Sequence, residues 1–235
     1  MHMKNIDLDD EIAKPEVKAL CVSLVPIFNH LPQENLASIA DMAMSRSYQR
    51  GEFIHRAGEH SSQLCIVHKG RVKVYRLSES GKEQLVRILI PGDFTGELAI
   101  FSDTRHETYA QALEKVDICT IHGADLQGLL LKHPAISLHV LAELARRLGK
   151  SEQQSISIAT DPVETRIGLY LADLVEQLGS TEVKLPMTRK DLASFLGTTP
   201  ESISRRLAEF EESGWIQQSG QRGIRILDLD ALLLL

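Results

Sequence analysis

Cysteine is scarce: Cys21, Cys65 and Cys119 are the only three in 235 residues. That number is too small and too odd for a disulfide framework, so cysteine chemistry here points to redox sensing rather than stapling. Long apolar runs are missing too. No stretch approaches the roughly 18 apolar residues a membrane span needs, and the closing Ala231–Leu235 run reads as a docking or frayed end. The polar, acidic start MHMKNIDLDDEIAKPE lacks a signal-peptide core. A cytoplasmic chain without membrane contact is the expectation.

A basic balance is also absent. Lys and Arg total 26 against 32 Asp and Glu, a formal charge of −6, and residues 162–235 hold eight cations against eleven acids. Composition alone does not suggest nucleic acid. Between Lys184 and Arg206, however, five cations face only Asp191 and Glu201, the local excess that a single docking face for a polyanion requires. His55, His60 and His68 lack cysteine or carboxylate companions at metal spacing and read as surface or turn residues. No metal and no cofactor is expected. Gly149-Lys150-Ser151 ends like a phosphate loop, but Leu144 stands where the earlier glycine is needed. With no nucleophile–base pair or paired acids, nothing points to an enzyme.

What the chain does have is a change of period. From about Ser47 to Ile121, glycines at 51, 58, 70, 81, 92 and 96 separate short β-branched runs, and GRVKVYRL puts Val72 and Val74 on one face with Lys73 and Tyr75 on the other. Strands at such spacing indicate an antiparallel roll or barrel. From Leu126 the pattern is helical. Leu141, Leu144, Leu148, Ser151, Ser155 and Ile158 recur at threes and fours, a narrow seam suited to a helix pair. Asp161-Pro162 stops that helix and marks the hinge.

Beyond it, VETRIGLYLADLVEQLG is an amphipathic helix with Gly179 as its C-cap. EVKLPM is a short strand. Thr188 to Asp191 is a capping box opening a helix with Leu192, Ala193 and Leu196. Gly197 supplies the turn, Thr199 the next N-cap and Pro200 the first helical position. The second helix turns Ile203, Leu207 and Phe210 inward, leaving Glu201, Ser204 and Arg205 outward. Small Ala193, Gly197 and β-branched Ile203 make the packing core of a helix-turn-helix, and GWIQQSGQRGIRIL adds a β-hairpin wing. In such a module Arg205 can bond guanine and Glu201 can accept from cytosine.

GDFTGELAIF, the roll before it, the long helix after it and MTRKDLASFLGTTPESISRRLAEFEESGWI resemble the family of the cyclic-AMP receptor protein and the fumarate–nitrate regulator, over roughly residues 20 to 232. The resemblance implies an α+β chain: an N-terminal arm (1–20), a cyclic-nucleotide-binding-type β-roll (21–124), a dimerisation helix (125–160) and a winged helix-turn-helix (161–235). It implies a homodimer on double-stranded DNA in contact with RNA polymerase. Glu201, Ser204 and Arg205 match the base-reading trio of the fumarate–nitrate branch, implying a palindrome near TTGAT-N4-ATCAA. Arg189, Thr199, Ser202 and Arg206 complete the expected DNA face, with Arg206 on phosphate.

The signal stays open between readings. Gly96 and Glu97 match the nucleotide cassette, but its Arg-Ser pair aligns with Glu107-Thr108, and a carboxylate there repels a phosphate. These four residues are the candidate effector pocket. Cys119 aligns with the roll cysteine of the iron–sulfur regulators and Cys21 falls near their N-terminal ones. The other ligands of a cluster are missing, while Cys65 reads as core. In the fold that the resemblance implies, the segment before the roll passes near the strand bearing Cys119, so the resemblance implies a Cys21–Cys119 thiol–disulfide switch. The alternatives are two small buried hydrophobes, or control by a cyclic nucleotide or a haem-bound gas in the roll.

Overall fold

The computed structural model describes residues 21–102 and 104–235; the expected N-terminal arm lies outside them. The roll is two four-stranded antiparallel sheets. One has the order β1 (Met44–Tyr48), β8 (Val116–His122), β3 (Gln63–Lys69), β6 (Phe94–Thr95). The other runs β2 (Phe53–His55), β7 (Tyr109–Ala112), β4 (Val72–Leu77), β5 (Glu83–Leu89). Strand alternation sorts the apolar residues into two cores. On β3, Leu64 and Ile66 face one cluster while Cys65 and Val67 face the other. On β8, Cys119 and Ile121 join the first, Val116 and Ile118 the second. Val72 and Val74 share a face, as their alternation requires.

The first cluster is closed by helices. α1 (Gln33–Met42) contributes Ile39 and Ala40, and α2 (Glu97–Ser102) contributes Ile100. The expected helix over 125–160 is in fact two: α3 (Gly123–Lys132), then α4 (Pro134–Thr160), broken at His133. The residue before a proline is pushed out of the α region, and Pro134 is well placed only as a first helical residue. α4 has 27 residues, about 40 Å of rod. Ile136 and Val140 are buried in the roll's core, and Leu144 packs on it. Leu144 thus belongs to the inner face. The exposed apolar stripe is Leu138, Leu141 and Leu148, each at least 60% exposed.

Compact units divide as residues up to Leu77 with Val86–Arg147, and Ser78–Leu85 with Leu148–Leu235. The boundary falls inside α4, ahead of the helix stop at Asp161-Pro162. In the second unit, α5 (Val163–Leu178) ends on Gly179 in the left-handed region, φ 62°. A small sheet orders β10 (Ile216–Ser219), β11 (Gly223–Ile226) and β9 (Glu182–Lys184). Between them stand α6 (Arg189–Phe195) and α7 (Pro200–Glu212). The closing α8 (Leu229–Leu233) docks on α5 where Gly168 leaves room: a Cβ there would lie 2.5 Å from the Leu232 carbonyl.

Candidate nucleic-acid interface and the roll interior

α6 and α7 are set by their ends. The Thr188 hydroxyl accepts from the Asp191 amide at 3.1 Å while the Asp191 carboxylate accepts from the Thr188 amide, a complete capping box. Gly197 takes φ 63° in the turn. The Thr199 hydroxyl accepts from the Ser202 amide at 3.2 Å, and Pro200 follows it. Such caps contribute about 1 kcal/mol each. Ile203, Leu207 and Phe210 are buried, which fixes the rotation of α7 and turns Glu201, Ser204 and Arg205 to solvent. Thr199 is exposed beside them and Ser202 half-buried.

The remaining expected contacts have protein partners. Among the described residues, the one ion pair of Arg205 is a long approach to Glu209, 3.9 Å. Arg206 is held by Glu209 at 2.6 Å and by Glu164 of α5 at 3.4 Å, so it braces α7 on α5. Arg189 donates to the Gln218 side-chain oxygen at 2.7 Å, and Gln218 donates to the Glu211 carboxylate at 2.8 Å. The Gln218 amide also donates to Glu211, and these bonds hold that carboxyl below its usual range. Gln218 therefore ties α6, α7 and the wing. Sequence reading missed it, because its partners lie 29 and 7 residues away.

Inside the roll, Gly96 makes a close crossing that no side chain could share, since a Cβ there would meet the Gln63 carbonyl at 2.1 Å. Its neighbour Glu97 is buried and accepts from Arg87 at 2.9 Å and Arg147 at 3.1 Å. Arg147 continues to Glu143 at 2.7 Å and lies over the Phe94 ring. Hydrogen bonds from Arg146 and Arg147 hold Glu143 down at about 2. The expected pocket residues have different immediate partners. Glu107, in the loop two residues ahead of β7, is exposed and pairs with Arg76 of β4. Thr108 instead meets His55, at 3.3 Å. His55 corrects a second expectation: it is 4% exposed, stacked on His106 with ring centroids 3.9 Å apart. Burial, with the charges of His106 and Arg87, lowers its pKa to about 3. Among the described residues no group of three His, Cys, Asp or Glu is placed for a metal ion.

All three cysteines are buried as free thiols. Cys21 and Cys119 share one cluster and hydrogen-bond, and that bond, with burial, drives the Cys21 thiol far above its usual range. Cys65 faces the other cluster, and burial pushes it up to about 12.

Comparison with known proteins matches the same two regions. Residues 45–133 match the family described as "Cyclic nucleotide-binding domain" and residues 165–235 the "Crp-like helix-turn-helix domain". The chain is 36% identical over 210 residues to a Lacticaseibacillus casei protein described as "Probable transcriptional regulator flp", covering 89% of this chain and 95% of that one. It is 28% identical to the "Anaerobic regulatory protein" of Haemophilus influenzae, over 92% of this chain and 84% of the relative. The structure of FixK2 from Bradyrhizobium japonicum superposes with a TM-score of 0.74 at 25% identity, covering 81% of this chain and 95% of that one.

Proposed function

The chain belongs to the Crp/Fnr family of transcription regulators, and on that premise we propose that it acts as a homodimer on a palindromic DNA site close to TTGAT-N4-ATCAA. One observation carries the reading: α7 is capped, packed on three buried residues and presents Glu201, Ser204 and Arg205 outward together. A helix so presented can enter the major groove with its first turns against base edges. Thr199 and Ser202 stand at its N-terminus, where phosphate oxygens are favoured. Arg189 and Arg206 act as braces as much as phosphate contacts. Leu138, Leu141 and Leu148 on α4 supply the dimer seam, and two chains place two copies of α7 one DNA turn apart. RNA polymerase is the second macromolecular partner of this reading.

The Cys21–Cys119 pair supplies the signal in the same proposal. A two-electron oxidant takes two electrons and two protons from the thiols, which join as a disulfide. Both thiols are buried and Cys21 strongly resists ionising, so oxidation waits on a local opening. A nucleotide is the weaker reading, because Arg87 and Arg147 already occupy one oxygen of Glu97 and Glu107 lies outside.

The test is fluorescence anisotropy of the TTGAT-N4-ATCAA duplex and a scrambled duplex, with dithiothreitol-reduced and diamide-oxidised protein at fixed salt. Preference for the palindrome supports the DNA reading; equal binding to both rejects it. A redox effect that disappears in Cys21→Ser supports the switch. Affinity indifferent to redox removes the switch and leaves the DNA reading standing.

A further inference from the structure

Arg166 sits in the first turns of α5, 9% exposed. No carboxylate forms an ion pair with it among the described residues. Its Nη1 instead donates to the carbonyl of Leu196 and, at 3.5 Å, to that of Gly197. These are the carbonyls at the C-terminal end of α6 and in the turn that launches α7. Nearby backbone acceptors are already taken: the Leu196 amide bonds the Leu192 carbonyl and the Thr198 amide the Ala193 carbonyl, both at 2.9 Å. The Leu196 and Gly197 carbonyls need another donor, and a cation suits the negative end of the helix.

The turn also packs tightly on this group. A Cβ on Gly197 would lie 3.0 Å from Ile158 of α4 and 3.3 Å from Arg166 Nη1. Meanwhile Arg166 Nε is buried without a partner. Burying a guanidinium with one nitrogen unsatisfied is costly, and an apolar side chain of similar volume is often as stable or more so. Stability alone is a poor reason for arginine at this position. We propose that Arg166 is a positioning residue for DNA recognition, its guanidinium fixing the turn between α6 and α7 and so the direction in which α7 presents Glu201, Ser204 and Arg205. The proposal rests on the DNA reading above. Because Arg166 lies one turn beyond Asp161-Pro162, a rotation of α5 at that break carries the turn with it.

Arg166→Met and Arg166→Lys test this, each full-length. Melting temperature, anisotropy on the palindromic and scrambled duplexes, and amide hydrogen exchange over residues 196–203 are read together. For the methionine variant the expected result is a melting temperature near that of the parent. Its palindrome affinity falls about tenfold, the scale of one or two misplaced base contacts, while scrambled-duplex affinity, set by phosphates, barely moves. Lysine, which still donates to a carbonyl, recovers part of the preference. A methionine variant with the parent's preference, or one losing both duplexes equally, overturns the proposal. If methionine prevents folding, lysine decides: a reduced palindrome-to-scrambled ratio supports the role and an unchanged ratio rejects it. Should the parent itself show no preference, the DNA reading fails, and hydrogen exchange judges Arg166 alone. Faster exchange over the turn in a stably folded variant supports positioning, and unchanged exchange rejects it.

Discussion

Arg205 stands on α7 with a side chain 66% exposed, and among the described residues its one ion pair is the long approach to Glu209, so little must be broken for it to reach a base as proposed. On the proposed reading, replacing it with alanine removes a guanine contact worth about 1–3 kcal/mol. Binding to duplexes varied one position at a time should lose discrimination at one base of each half-site, and unchanged discrimination removes Arg205 from the base-reading set. His55 makes the opposite case, a titratable group the fold keeps neutral. Its pKa falls from 6.5 to about 3, so the unfolded chain takes up a proton that the folded one refuses. The stability associated with neutral His55 is complete above pH 6.5 and is lost as pH falls toward 3. His55→Phe keeps a ring against His106 and removes that proton. Its melting temperature should therefore depend less on pH between about 6.5 and 4 than the parent's. Equal slopes would assign the acid sensitivity elsewhere.

Among the elements, α6 and α7 were the most legible in sequence, because capping is chemistry between residues three apart. Thr188 with Asp191, and Thr199 with Pro200, declare their helix starts without reference to the rest of the chain. The two valines of β4 were legible for a similar reason, since alternation alone assigns a face. What sequence could not show is which distant group comes to meet a residue. His55 read as a surface histidine because His106 lies 51 positions on; Arg166 went unread because its acceptors are carbonyls 30 and 31 residues away. The helix α4 lies between these cases. Its period was plain, but two stripes at helical spacing run along it, and only packing shows that Leu144 serves the roll while Leu138, Leu141 and Leu148 stay bare. If that bare stripe is the dimer seam, Leu141→Glu should yield a monomer in sedimentation velocity, since two carboxylates would face each other across a dry contact. Leu144→Glu should instead lower the melting temperature, by damaging the core it packs on. A Leu141→Glu chain that stays dimeric would place the seam elsewhere.

At the scale of the whole molecule, the net charge of −6 works against a polyanion, and the proposed dimer would double it. DNA binding must then rest on a small set of cations held at one face, with the acidic remainder opposing adhesion elsewhere. Structure narrows that set, because Arg206 is occupied by two carboxylates and Arg189 by Gln218, while Lys190 is exposed beside the cap of α6. Phosphate and base contacts separate in a salt titration. Neutralising a phosphate contact weakens every duplex alike and lowers the slope of log affinity against log salt by about one per contact. Losing a base contact weakens only the matching sequence. Lys190→Gln should accordingly reduce binding to the palindromic and scrambled duplexes by similar factors and flatten the slope. Arg205→Ala should reduce the palindrome alone and leave the slope on the scrambled duplex unchanged. The reverse pattern, with Lys190→Gln selective and Arg205→Ala indiscriminate, would mean that α6 rather than α7 lies against the bases.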